Sequence, residues 1–197
     1  MTPYAFKMQL RDGTPILVRP AEIGDRELIE LGMKHLSPKS RYMRFFRPVS
    51  RLSKKILDDI TSIDHNDHIA IGALDLTHVE PYPIGVARCI RLKEQPSEAE
   101  VAVTVIDSHQ KRGLGTILLG ALAYMSSAHG ITAFVATVLS DNQPMLKLFR
   151  DLGAASHYDG SGIVSIRIPI SGDAKTYPDT SAGAQVRRIY HLMDEKS

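Results

Sequence analysis

The sequence predicts an α/β domain built around a mixed sheet. Three observations predict it. A strand hairpin and several short helices come first, three strands rich in valine and isoleucine follow, and helix, strand, helix and strand then succeed one another up to Ile170. Such an order layers helices against a sheet.

Each element has a local reason. Lys7 to Leu10 and Thr14 to Arg19 flank Asp12-Gly13, a turn pair between β-prone runs, so they read as a hairpin that Pro20 closes. Asp25 is placed to cap a helix to about His35, with Leu28, Leu31 and His35 on one stripe. Ser37-Pro38 reads as an N-cap followed by proline in the first turn, opening a short helix to about Phe46. Ser53 caps another, with Ile56, Leu57, Ile60 and Ile63 on one face. Strands are expected over Ile69–Leu76, Ile84–Leu92 and Glu98–Val105, separated by turns at Pro81-Tyr82-Pro83 and Gln95-Pro96-Ser97. In the third, Val101, Val103 and Val105 share one face while Glu98, Glu100, Ala102 and Thr104 share the other. Gly113 to His129 is a strong helix, with Leu114, Leu118, Ala121, Leu122 and Met125 in helical register and Gly130 ending it. Thr132 to Leu139 is a β-branched strand. Asn142 to Leu152 is a helix whose stripe is Met145, Leu148, Phe149 and Leu152, and Ile163 to Ile170 is the last strand.

After Ser171 the composition turns to Gly, Asp, Thr, Ser, Pro and Ala. The expected organisation is therefore a folded domain over 1–170 and a polar linker over 171–197. Within the linker, Gln185 to Met193 reads as a short helix that either docks back or pairs with a partner; a homodimer is one such outcome.

Composition narrows the function. The 197 residues are 43% apolar and 23% charged, enough to bury a core without crosslinks. The net charge, 24 − 22 = +2, is too mild to indicate nucleic acid. Cys89 is the one cysteine, which excludes an intramolecular disulfide and a cysteine-based zinc site. No run approaches the ~18 apolar residues of a membrane helix. Met1 to Phe6 shows no basic segment before an apolar run. A cytoplasmic chain without membrane or nucleic-acid partners is the expectation.

The chemistry lies between Glu98 and Ala154. Gln110, Lys111, Arg112, Gly113, Leu114, Gly115 and Thr116 join a strand to a helix. Successive N–H groups at a helix N-terminus, with the helix dipole behind them, bind anions, and glycine lets a phosphate approach closely. The structural alternative is an ordinary glycine-rich turn. The ending of a Walker loop is missing, as are the third glycine and acidic partner of a dinucleotide loop.

This loop after a hydrophobic strand, the next strand leading to Asn142, and the closing Leu152-Gly153-Ala154 together resemble the GNAT superfamily of acyl-CoA-dependent N-acyltransferases. The likeness spans about Thr14 to Ile170. The segment Ser37-Pro38-Lys39-Ser40-Arg41-Tyr42-Met43-Arg44-Phe45-Phe46 is similar to the acetyltransferase domain of Pat-type protein lysine acetyltransferases. The resemblance implies the GNAT fold, a mixed and mostly antiparallel sheet with helices on both faces. It implies acetyl-CoA as co-substrate, with its pyrophosphate on the amides of Lys111 to Thr116, Gln110 also at the binding loop, its pantetheine arm along Val103, Thr104 and Val105, and Asn142 assisting. No metal is expected. Glu100, in Ala99-Glu100-Val101-Ala102, holds the place of the family's strand glutamate and becomes the candidate general base, because a lysine with pKa ≈ 10.4 must lose a proton before attack. Glu98 is the substitute, and a solvent-facing strand glutamate is the plain alternative. The N–H of Val105 is placed to polarise the thioester carbonyl. Many members carry a tyrosine acid where this chain has Phe149, which donates no proton.

Other features have plainer readings beside functional ones. The basic run Lys39, Arg41, Arg44, Arg47, Arg51, Lys54 and Lys55 reads as a solvated face beside a core stripe of Tyr42, Phe45, Phe46 and Val49; walling the acceptor site or binding nucleic acid are the alternatives. His65 and His68 in an acidic loop suggest a metal only weakly, His109 is placed for a phosphate or for solvent, and Cys89 reads as a small buried apolar residue. The expected function is acetyl transfer from acetyl-CoA to a primary amine, with a protein lysine first and a small-molecule amine second. A non-catalytic acyl-CoA sensor is the competing class.

Overall fold

The computed structural model describes residues 4–195. Eight strands form one sheet: β1 (Phe6–Gln9), β2 (Pro15–Pro20), β3 (His68–Asp75), β4 (Tyr82–Arg91), β5 (Glu98–Val105), β6 (Ala133–Leu139), β7 (Ala155–Tyr158) and β8 (Ile163–Pro169). Their order across the sheet is β1-β2-β3-β4-β5-β6-β8-β7. Every neighbouring pair is antiparallel except β5 and β6. Parallel neighbours need a crossover, and the helix α4 (Leu114–Ala128) supplies it.

Helices cover both faces. Over β3 to β5 on one side lie α1 (Arg26–Lys34), α2 (Pro38–Phe45) and α3 (Lys54–Thr61). On the other side α4 packs against β3, β4 and β5. Ala87 and Cys89, fully buried, lie on the α4 face, and the Cys89 thiol meets the Ser126 hydroxyl of α4 at 3.2 Å. Gly85 permits close approach: a Cβ there would come within 3.0 Å of Leu118 and 3.1 Å of the Thr104 carbonyl. The buried residues of α4 surround its axis, including Leu114, Ile117, Leu118, Leu119, Leu122 and Met125. A helix apolar all round needs cover on both sides.

The second cover is α6 (Ser181–Asp194), the expected helix over Gln185 to Met193, which starts earlier, at Ser181, and docks back. Val186 and Ile189 pack against Gly120 of α4. Tyr190 and Met193 are also buried, and the Tyr177 and Tyr190 hydroxyls meet at 2.8 Å. The polar composition misled because it ends at Thr180, whose side chain caps the helix by accepting from the N–H of Gly183. The segment docks back on the domain, so 1–170 and 171–195 share one core.

Smaller differences have local causes. Asp25 precedes α1 but does not cap it, because its carboxylate holds Arg19 through two hydrogen bonds of 2.7 and 2.6 Å. The sequence reading has no counterpart to β7, a strand exposed at all four residues at the sheet's edge. The stripe of Tyr42, Phe45, Phe46 and Val49 is not the core face of α2. Tyr42 and Phe46 are exposed; of the stripe Phe45 lines a cavity, and Arg44 turns inward beside it.

Candidate active site

The one parallel pair is also where the sheet parts. β5 pairs with β6 only at Glu98, Ala99 and Glu100. Beyond Glu100, β6 continues against β8 alone, and β5 from Val101 to Val105 continues against β4 alone. The Ile106 N–H donates to the Ile84 carbonyl of β4 at 3.0 Å. Backbone groups alternate along a strand, so the N–H and C=O of Val101, Val103 and Val105 face the open side. Thr104 turns its backbone toward β4, and its side chain lines the cavity below α1 to α3. Of the three expected arm-binding residues, Val103 offers both backbone groups, Val105 offers its N–H while its carbonyl accepts from Gln110, and Thr104 offers neither. Val101 joins them. An open strand edge takes an extended ligand as an added strand does.

Glu100 sits at the fork. Its side chain is exposed and receives no hydrogen bond from a described residue. Glu98, the substitute base, is bound to Arg167 of β8 at 2.8 Å. That leaves Glu100 as the free carboxylate at this point. It borders an open surface cleft of about 540 Å³, lined by Leu92, Val135, Thr137, His157, Ser165 and Arg167, on the side of β6, β8 and β7.

The far end of the open edge meets the loop before α4. Lys111 and Gly113 both have positive φ, +62° and +90°. The N–H groups of Leu114, Gly115 and Thr116 donate to no described residue, as expected at a helix start. Gln110 bridges the loop to β5 and α2, donating to the Val105 carbonyl at 3.1 Å and to the Ser40 hydroxyl at 3.2 Å. Asp107 accepts from the Ser37 N–H and from the hydroxyls of Ser37 and Ser40, at 2.8, 2.8 and 2.9 Å. Burial alone would raise that carboxyl, and these bonds outweigh burial and hold it below its ordinary value. Lys111 is exposed, but Arg112 is tied to Asp12 of the β1–β2 turn at 2.8 Å. Thr116 is buried in the first turn. Gly115 serves packing: a Cβ there would lie 3.3 Å from Leu148 of α5 (Gln143–Asp151).

Sequence reasoning missed Arg11. Its N–H donates to the Arg112 carbonyl at 3.2 Å, and its guanidinium Nε lies 3.3 Å from where a Cβ on Gly113 would stand. This places a second cation at the loop from about 100 residues away in sequence. No local signal marks it.

The Acetyltransferase (GNAT) family model matches residues 37–154, which contain the fork, the loop and α5. The chain belongs to the GNAT acetyltransferase family. It is 32% identical over 163 residues to the acetyltransferase Pat of Mycolicibacterium smegmatis, covering 83% of this chain and 48% of that protein. The chain thus spans about half the length of that relative. An acetyltransferase of Pseudomonas aeruginosa is 29% identical over 150 residues, covering 76% of this chain and 80% of its own. The crystal structure of the GNAT domain of S. lividans PAT superposes with a TM-score of 0.77 at 32% identity, covering 85% of this chain and 97% of that one.

Within the GNAT domain, Asn142 caps α5, its side-chain oxygen accepting from the Met145 N–H at 3.4 Å. Its amide nitrogen donates to no described residue. Phe149 is buried in the core, as its stripe requires. His109 is occupied: Nε2 meets Asp75 at 3.1 Å and Nδ1 meets the Ser108 hydroxyl at 2.9 Å, so it fastens the turn after β5 to β3. Asp64 accepts three backbone N–H groups, from Asn66, Asp67 and His68, and no group of three metal-binding side chains occurs among the described residues. Burial pushes the Cys89 thiol up to about 11, which makes it a poor nucleophile.

Two arginines face Glu100 across the sheet surface. Arg88 of β4 lies opposite Ala102, one place along from Glu100, and Arg44 of α2 packs over the same surface. Burial, then the charge of Arg88, pushes Arg44 down to about 10, against the opposing pull of Glu100. Burial also lowers Arg88, with Glu100 and Asp59 opposing.

Proposed function

We propose that this GNAT domain transfers an acetyl group from acetyl-CoA to a primary amine, with a protein lysine as acceptor. The observation that carries the reading is the fork of the sheet at an unpaired, exposed Glu100. The open edge from Val101 to Val105 and the free N–H groups before α4 suit the two ends of an acyl-CoA, whose thioester supplies the activated acyl carbon. Five strand residues span roughly 16 Å, comparable to a pantetheine arm. The residues present therefore fit the co-substrate.

Glu100 takes a proton from the acceptor's ammonium, leaving the lone pair for attack on the thioester carbonyl. The Val101 N–H, on the open side at the fork, donates to the carbonyl oxygen as charge develops there, whereas the Val105 N–H stands at the loop end of the edge, too far along the strand to reach it. The second amine proton passes to water from the open cleft as the amide forms and the C–S bond breaks. Phe149 offers none to the departing sulfur, which is stable enough as a thiolate near a thiol pKa of ≈ 8.5. Holding both substrates at the fork supplies the proximity. The open cleft beside Glu100 favours a side chain presented by another macromolecule over an enclosed small amine, and the likeness to Pat supports the same acceptor.

The test is thiol release from acetyl-CoA by wild type and Glu100→Gln, offered lysine peptides, protein mixtures and polyamines. The expected result is turnover on lysine substrates, reduced about 10²- to 10⁴-fold in the variant, with CoA affinity unchanged. Equal turnover in both would remove Glu100 from its role. Turnover on polyamines alone would move the acceptor to small molecules. Tight CoA binding with no turnover on any acceptor would replace the enzyme reading by the sensor.

A further inference from the structure

Behind β5, on the sheet face below α1 to α3, lies an interior cavity of about 100 Å³ that the proposed reaction does not use. Its walls are mostly apolar, with Leu28, Met33, Phe45 and Ile60 among them, and its cationic rim includes Arg44 and Arg88. Neither of these two arginines forms an ion pair with a described residue. The Nη1 of Arg88 is buried without a hydrogen-bond partner. Nearby on the same side, the Nε of Arg41 and the Nε2 of His68 are buried and unpartnered too. The two arginine nitrogens are donors, whereas the Nε2 of His68 is an acceptor, because its Nδ1 donates to the Ser62 carbonyl.

The walls and the rim ask for different things. A guanidinium has only donors and does not deprotonate, so an unpaired one held away from water is relieved by an anion. An Arg19–Asp25 pair at another part of the wall is already satisfied and needs nothing. Arg44 is lowered by burial and then by Arg88, against the pull of Glu100: two cations share a poorly hydrated space, and the one carboxylate facing both of them is itself exposed and bonded to neither. The apolar walls favour a hydrocarbon body. A cavity of roughly 150 Å³ accepts benzene, so this one suits about four carbons.

We propose that this cavity binds a small apolar carboxylate, its anionic head on Arg88 and Arg44 and its branched aliphatic body against the walls below α1 to α3. The ligand chemistry has two sources: an α-amino acid with such a side chain, whose amine would reach toward Glu100, and a simple branched carboxylic acid acting as an effector behind the catalytic strand. The site stands whether or not a protein lysine is the acceptor, because binding is read without turnover.

The test uses the full chain and four probes: 3-methylbutanoate, its uncharged isostere 3-methylbutanamide, leucine and acetate. Calorimetry and thermal melting read binding. Saturable binding of 3-methylbutanoate or leucine, at least tenfold tighter than the amide and than acetate, is expected, with Arg88→Gln losing tenfold or more. The wild-type comparison of acid with amide keeps the test valid if Arg88→Gln fails to fold. Amide binding equal to acid binding, or no saturable binding of any probe, overturns the proposal. Acetyl-CoA then separates the sources: formation of N-acetyl-leucine marks an acceptor subsite, and binding without acetylation marks an effector site.

Discussion

His68 links a single side chain to the stability of the whole fold. It is 6% exposed, its Nδ1 lies 3.0 Å from the Ser62 carbonyl, and its Nε2 has no partner. Burial, and next the charge of Arg88, lower its pKa below the ordinary 6.5, outweighing Ser62 and Asp64. The unfolded chain therefore binds this proton more readily than the folded one, and stability rises with pH across that interval. The His68 contribution is whole above about pH 6.5 and declines as pH falls through 6.5 toward the lower folded value. The depressed carboxyls of Asp25, Asp75 and Asp107 act only nearer 3.8 and do not blur the window. Melting temperature followed from pH 7.5 to 5 should fall in wild type and flatten in His68→Gln. A variant that keeps the wild-type slope would clear His68 of the effect. Among single residues, Glu100 and the loop glycines could be singled out as candidates because their signals are contiguous in sequence. Arg11, and the inward turn of Arg44 onto Arg88, depend on pairing across long separations, and the alternation of apolar residues in α2 pointed the other way.

At the scale of elements, the start of α6 is fixed by contact more than by composition. Thr180 accepts from the Gly183 N–H at 3.0 Å and donates to the Asp151 carbonyl of α5 at 2.7 Å. A Cβ on Gly183 would stand 2.0 Å from the Pro178 carbonyl oxygen. Backbone cannot move aside as a flexible side chain can, so Gly183→Ala must displace the turn or the helix. Overpacking of this kind costs about 1–3 kcal/mol, and each kcal/mol lowers melting by about 2–4 °C in a chain this size. Gly24→Ala is the control, since nothing lies within 4 Å of its Cβ position. A Gly183→Ala protein melting with the control would refute the close contact. The same contrast explains what the sequence disclosed of the elements. α4 and α5 announce themselves by apolar periodicity and glycine ends. β7 has no buried residue to set a period, and the opening of α6 is written in a proline carbonyl and a threonine cap rather than in an apolar stripe.

At the scale of the molecule, the crossover that makes β5 and β6 parallel also makes α6 necessary. α4 must lie on the sheet to connect these strands, and its apolar outer side must then be covered. Val186, Ile189, Tyr190 and Met193 provide that cover with 1% exposure or less. Burying side chains of this size is worth about 1.5–3 kcal/mol each, and a domain's whole stability is about 5–15 kcal/mol. A chain ending at 170, the boundary that composition suggests, should therefore lose its cooperative thermal transition and bind a hydrophobic dye at the bared face of α4. It should also lose acyl-CoA binding, because the first turn of α4 forms the loop where the free N–H groups stand. A protein of residues 1–170 that melts within a few degrees of the full chain would show that α4 tolerates water on its outer side. The tail would then be an appendage after all.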